Sequence, residues 1–357
     1  MSPVEPRDVV LHIGSGKTGT STIQRVLRRN ADLLLAGGHV YPRTPGQVRH
    51  TKLGLYVRPD DELVGRVDWL EGDFPEPAEF RRRFRRQLRR ELAGSTAEGV
   101  VFSDEGMFGA SDRAIRRTRR FLEGIARSVR LVVYLRRQDD HLVSRYQQVV
   151  KMGEIAPLAT WIQQEWDGTY DYYDRLTSWQ RIEPEAFVVR PFERARFAGG
   201  SLVHDFLQAA DIELAEDELT HTEARNESLG VEGTELLRIL NLHRVQHEGA
   251  WPGRFGNAAH VARLREVPTG QVLTLPDADL DTFMAGWAES NRKVAQEFLH
   301  DPTGELFRAP RKTAGTTTEQ VLDPARLDRY LELLEIPEEQ HATLRAIAER
   351  EATRPRP

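Results

Sequence analysis

Residues 9–27 read Val9-Val10-Leu11-His12-Ile13-Gly14-Ser15-Gly16-Lys17-Thr18-Gly19-Thr20-Ser21-Thr22-Ile23-Gln24-Arg25-Val26-Leu27. The apolar run 9–13, stopped by glycine, predicts a short buried strand. From Thr22 onward Ile23, Val26, Leu27 and Leu34 recur at helical spacing until Gly37-Gly38, which predicts a helix. Between the two lies a loop of small residues. Small side chains let the backbone approach an anion, and a helix start offers unpaired N–H groups and the positive end of its dipole. Thr18, Thr20 and Ser21 add hydroxyl donors, and Lys17 adds a compact mobile charge. The stretch reads as a phosphate cradle. Lysine is scarce here: it stands only at 17, 52, 151, 293 and 312 among fifty basic residues, so a lysine in the loop is a departure from the chain's habit of using arginine.

Working outward, Gly99-Val100-Val101-Phe102-Ser103 and Val129 to Leu135 predict further buried strands, and Phe187 to Arg190 another. His39 to Tyr41 predicts a short one. Helices are expected from Pro77, with Phe80, Phe84, Leu88 and Leu92 on one stripe and arginines elsewhere, and over about 112–127. Strands alternating with helices imply an α/β fold with a parallel sheet and right-handed crossovers. Ligands then sit beyond the carboxyl ends of the strands, so the residues after Ile13, Ser103 and Leu135 should face one crevice. The last third predicts helices over about 229–247, 279–299 and 323–350. One large domain is expected, a 7–225 core followed by a mainly helical region 226–357.

Composition narrows the function. A net charge of −5 gives no global argument for nucleic acid or membrane binding. No apolar run approaches a membrane span and no signal-peptide pattern opens the chain, which leads to a cytoplasmic expectation. The absence of cysteine removes thiol chemistry and disulfides. His243 and His247 have a zinc-compatible spacing but no nearby third ligand, so no metal site is expected.

The loop departs from the nucleotide triphosphatase pattern G-x-x-x-x-G-K-[ST], because position 11 is leucine. The run HIG…KTGTS…IQ instead resembles the 5′-phosphosulfate loop of sulfotransferases that use 3′-phosphoadenosine-5′-phosphosulfate (PAPS), most nearly the bacterial carbohydrate-type enzymes. The resemblance implies a P-loop NTPase-like sulfotransferase fold, with a central parallel sheet flanked by helices and a helical C-terminal region. It extends to Arg136–Lys151, RRQDDHLVSRYQQVVK, where the family places an arginine at a strand end and a serine eight residues later; here these are Arg136 and Ser144. PFERARF and ESNRKVAQEFL also look like the bacterial enzymes.

By this resemblance Ser15, Gly16, Lys17, Thr18, Gly19, Thr20 and Ser21 hold the 5′-phosphate, Arg136 and Ser144 hold a 3′-phosphate, and Asn226 and Ser228 are further nucleotide contacts. Lys17 stabilises the leaving phosphate. Glu105, after the strand 99–103, is the candidate base, with Asp104 orienting or replacing it and His50 in reserve. The expected acceptor is a hydroxyl of a glycan or a small metabolite, and no metal is required. Two other readings stay open: a P-loop kinase or NTPase using Lys17, Thr18 and Asp104 with Mg-ATP, and an adenosine bisphosphate-binding module without catalysis. The aromatic residues between 157 and 181 are expected either to line an acceptor site or to pack in a core.

Overall fold

The computed structural model describes residues 5–221, 228–253, 256–268 and 270–354. They form two compact units: residues 1–137, 167–224 and 288–309 in the first, and 138–166, 225–287 and 310–357 in the second.

The first unit is α/β. Its strands are β1 (Arg7–His12), β2 (His39–Val40), β3 (Gly99–Ser103), β4 (Ala126–Leu135) and β5 (Ala186–Pro191). They pair in the order β2-β3-β1-β4-β5, every pair parallel. A five-stranded all-parallel sheet flanked by helices is the arrangement of Rossmann-like and P-loop-like folds. The apolar runs that predict β1, β3 and the second half of β4 are buried on both faces, as parallel strands require. The order places β1 between β3 and β4, so the carboxyl ends of these three strands lie side by side, as the strand–helix alternation predicts.

The flanking helix α1 (Thr20–Arg29) packs Ile23, Val26 and Leu27 into a cluster with Leu34, Val101, Val132, Phe206 and Leu207. On the helix Pro77–Ala93 the residues Phe80, Phe84, Leu88 and Leu92 are all buried, while Arg82, Arg83, Arg85, Arg86, Arg89 and Arg90 are exposed. The expected helix over 112–127 is shorter. It spans Asp112–Glu123 and stops at Gly124, and Ala126 already belongs to β4. Residues 44–75, which carry no clear periodicity, fold as short helices at Thr51–Val57, Asp60–Leu63 and Val67–Leu70.

The second unit is helical among its described residues, built on Gln138–Lys151, Val231–His247 and Glu338–Ala352. Among its buried side chains is a charged group: Arg238 is buried against Glu235 and bonds Glu351 at 2.6 Å. The buried guanidinium shared between Glu235 and Glu351 ties the last helix down. The expected single helix over 279–299 is two, Asp277–Ala285 in this unit and Ala288–Phe298 in the first. No helix among the described residues is long and apolar enough to cross a membrane.

Candidate functional site

The loop after β1 is held by both neighbouring strands. Ile13 N–H donates to Val132 O at 3.0 Å and Ser15 N–H to Tyr134 O at 3.2 Å, while Asp104 N–H donates to His12 O at 3.0 Å. Its backbone then turns through positive φ at Gly16 (72°), Lys17 (51°) and Gly19 (72°). Glycine is dictated at two points. A Cβ on Gly14 would lie 2.7 Å from Thr20 Cγ2, and one on Gly19 would lie 2.2 Å from Leu202 Cδ2. Lys17 has no such exemption: a left-handed non-glycine residue costs about 1–3 kcal/mol and persists only where its surroundings impose it. Thr18 is completely buried, and its Oγ1 has no hydrogen-bond partner among the described residues. A buried hydroxyl without a protein partner is an exception that calls for a reason.

Arg136 follows β4, next to β1. Its Nη1 donates to the carbonyl of Lys17 at 3.1 Å, and its own carbonyl accepts from the Tyr172 hydroxyl at 2.7 Å. The sheet thus brings the guanidinium of Arg136 to the loop itself, on the same edge. Ser144 lies on the helix Gln138–Lys151 of the second unit and is half-buried. In that unit Ser228 donates to Gln147 Oε1 at 2.9 Å. Asn226 lies outside the described residues.

Beyond β3 the chain supplies carboxylates. Asp104 is buried; its Oδ1 accepts from Gly106 N–H at 3.0 Å, capping the short 3-10 turn Glu105–Met107, and from Arg49 Nε at 2.7 Å. Burial pushes its carboxyl up, and Arg49 opposes that shift. Glu105 stays partly open, with a side-chain exposure of 21%. Its Oε2 accepts from Gln24 Nε2 at 2.7 Å, and its Oε1 lies 3.5 Å from Arg49 Nε.

His50 does not serve as a reserve base. It is wholly buried, stacked on Tyr41, and both ring nitrogens are occupied by backbone. Ser103 N–H donates to Nδ1 at 3.1 Å, so the proton sits on Nε2 and is given to Pro42 O at 3.0 Å. Burial pushes its pKa down to about 3. The ring fastens residue 50 to β3 and has no lone pair left for a substrate proton.

Three residues absent from the sequence-level site complete the cluster: His12, Ser103 and Gln24. His12 closes β1, fully buried, with Nδ1 2.9 Å from Ser103 Oγ. Gln24 Nε2 donates to that same Oγ at 3.2 Å as well as to Glu105. Arg49 is a fourth, placed by its ion pair rather than by any local pattern. The signal available for Gln24 was an amide on the buried face of α1, beside Ile23 and Leu27.

The aromatic residues between 157 and 181 are core except Tyr173, which is partly exposed and donates its hydroxyl to Glu297 at 2.9 Å. Trp161 and Trp166 pack on each other in the second unit, and Tyr170, Tyr172 and Trp179 are buried in the first. His243 and His247 lie against each other at 5.1 Å with Glu248 near Nδ1 of His243, and no cluster of three metal-ligating side chains occurs among the described residues.

Comparison with known proteins adds little about chemistry. No family model matches the chain, and no solved structure matches it. An uncharacterized protein of Archaeoglobus fulgidus is 30% identical over 257 residues, covering 70% of this chain and 63% of its own length. The chain therefore spans less than two thirds of that relative.

Proposed function

We propose that the first unit is the catalytic part of a sulfotransferase that moves a sulfuryl group from PAPS to a hydroxyl of a glycan or small metabolite. One observation carries this reading: the guanidinium of Arg136, just past β4, reaches the backbone of the Lys17 loop just past β1, so the two segments meet at one edge of the sheet. The resemblance of HIG…KTGTS…IQ and of the Arg136 segment to PAPS-dependent enzymes supplies the identity of the donor. The orphan Thr18 hydroxyl and the left-handed backbone at 16, 17 and 19 suit a phosphate.

In this reading the loop N–H groups and Lys17 hold the 5′-phosphate and stabilise the charge that collects on it as it leaves. Arg136, with a planar fork of donors, holds the second phosphate that distinguishes this nucleotide from ATP. Glu105 takes the acceptor's proton. The acceptor oxygen bonds to sulfur as the bond from sulfur to the phosphate oxygen breaks, and the electron pair departs with 3′,5′-adenosine bisphosphate. Glu105 Oε1 suits the proton transfer, because Gln24 occupies Oε2 and Arg49 Nε gives its hydrogen to Asp104. A kinase would need Asp104 to meet a metal. That carboxylate is already committed to Arg49 and Gly106 N–H, and the guanidinium repels an approaching cation.

The test is titration calorimetry with 3′,5′-adenosine bisphosphate against Mg-ATP, followed by PAPS turnover with and without EDTA. Tight bisphosphate binding with EDTA-insensitive turnover supports the reading. Preference for Mg-ATP would overturn it.

A further inference from the structure

A charged residue that must accept a proton is useful only if one oxygen is presented in a fixed direction. Glu105 stands on a three-residue turn with an exposed flank, which does not by itself hold a carboxylate still. What holds it comes from α1. A carboxylate can only accept, so the Gln24 amide nitrogen faces it, and one hydrogen reaches Oε2 at 2.7 Å. The other hydrogen goes to Ser103 Oγ at 3.2 Å. The serine hydroxyl, accepting from Gln24, is in turn hydrogen-bonded to His12 Nδ1 at 2.9 Å. Every member of this chain behind Glu105 is buried: Gln24 is 2% exposed, and Ser103 and His12 are 0%. Burial pushes the His12 imidazole down to about 3, so the ring stays neutral behind the serine. The amide can turn neither way without stranding a buried polar group.

We propose that Gln24 is the positioning residue of the site: backed by Ser103 and His12, it fixes Glu105 Oε2 so that Oε1 faces the incoming hydroxyl. The inference rests on the reading of Glu105 as the base. It adds that the helix opened by the anion loop also aims the base, so one rigid element sets both ends of the transfer. The network is a specific arrangement of donors. A leucine or methionine would fill the same space on α1 with no gap but would leave Oε2 and Ser103 Oγ without their donor.

The experiment is a double-mutant cycle on Gln24→Met and Glu105→Gln. Bisphosphate release from PAPS is followed with water alone and with p-nitrophenyl glycosides as acceptors, and bisphosphate affinity is measured in parallel. Gln24→Met is expected to lower turnover by about tenfold to a hundredfold, with bisphosphate Kd within about twofold of wild type. In the Glu105→Gln background the same change is expected to have no further effect, because a residue that acts through Glu105 has nothing left to position. Ser103→Ala, which removes only a hydroxyl, is expected to give a smaller fall with the same dependence on Glu105, and it decides the matter if Gln24→Met does not fold. A loss of equal size in both backgrounds, or undiminished turnover in Gln24→Met, overturns the inference. Undiminished turnover in Glu105→Gln overturns the base assignment instead, and a wild-type protein that neither binds bisphosphate nor consumes PAPS overturns the function itself.

Discussion

Acidification from pH 7 to 5 should cost this protein much of its stability, through two histidines that do no chemistry. His12 and His50 are fully buried, and burial lowers each from an ordinary 6.5 to about 3. In the unfolded chain both rings take up protons as the pH falls through 6.5. In the folded chain they remain neutral until about pH 3. The unfolded state therefore binds more protons throughout that window, and stability falls as pH falls. Each ring contributes about 1.4 kcal/mol per pH unit once its unfolded form is protonated, so the pair removes about 4 kcal/mol between pH 7 and 5. Against a typical total of about 5–15 kcal/mol, that is a large share. Urea unfolding followed by circular dichroism at intervals from pH 7 to 5 measures it, above the range where carboxylates protonate. Other histidines are also lowered by burial, His243 and His260 among them, so the wild-type slope alone is not diagnostic. The comparison with His50→Asn is: its stability should depend on pH less steeply by one proton, about 1.4 kcal/mol per unit. Parallel slopes in the two proteins would mean that His50 titrates in the folded state, and would return it to the list of possible bases.

The remaining expectations concern the loop and its neighbours. Lys17→Ala should reduce PAPS turnover by about a hundredfold to a thousandfold, the usual effect of removing a donor from a developing anion, while bisphosphate binding persists in weakened form by calorimetry. Arg136→Ala should weaken bisphosphate binding by about tenfold to a hundredfold, as expected for a charged hydrogen-bond donor, and an unchanged Kd would refute its assignment to a phosphate. Glu105→Gln should lower turnover by about a hundredfold or more in steady-state kinetics, with nucleotide affinity unchanged.

Much of the first unit was legible because its signals are local. Val9 to Ile13 and Val129 to Leu135 are apolar runs bounded by glycine or charge, and a parallel strand buried on both faces has to look like that. Phe80, Phe84, Leu88 and Leu92 declare their helix by spacing alone. The loop after β1 was legible where backbone geometry favours a particular residue type, as at Gly19 with φ 72°. What could not be read was set by contacts across the chain. Arg49 sits in a segment without periodicity and is placed by Asp104, 55 residues away. His50 sits beside it and looks like a solvated loop histidine, yet the backbone of Ser103 and Pro42 enclose it. Gln24 looked like the polar member of an amphipathic helix. Only the position of β3 beside β1 shows that its amide faces Ser103 and Glu105. Likewise the aromatic residues near 170 follow no period that separates a sugar-stacking surface from a core.

The placement of Arg136 bears on the strain at Lys17. A lysine held at φ 51° must be kept there by its surroundings, and the guanidinium at 3.1 Å from its carbonyl is one of the groups that keep it. Arg136 enters from the neighbouring strand, so the conformation of the loop depends on β1 and β4 being paired in register out to Ser15 N–H and Tyr134 O. One guanidinium N–H of Arg136 is given to this brace. A lysine at 136 would put a point charge where the planar guanidinium now braces the Lys17 carbonyl. Arg136 and the strained loop are therefore one mechanical unit: a change that moved the guanidinium would also release the backbone at Lys17.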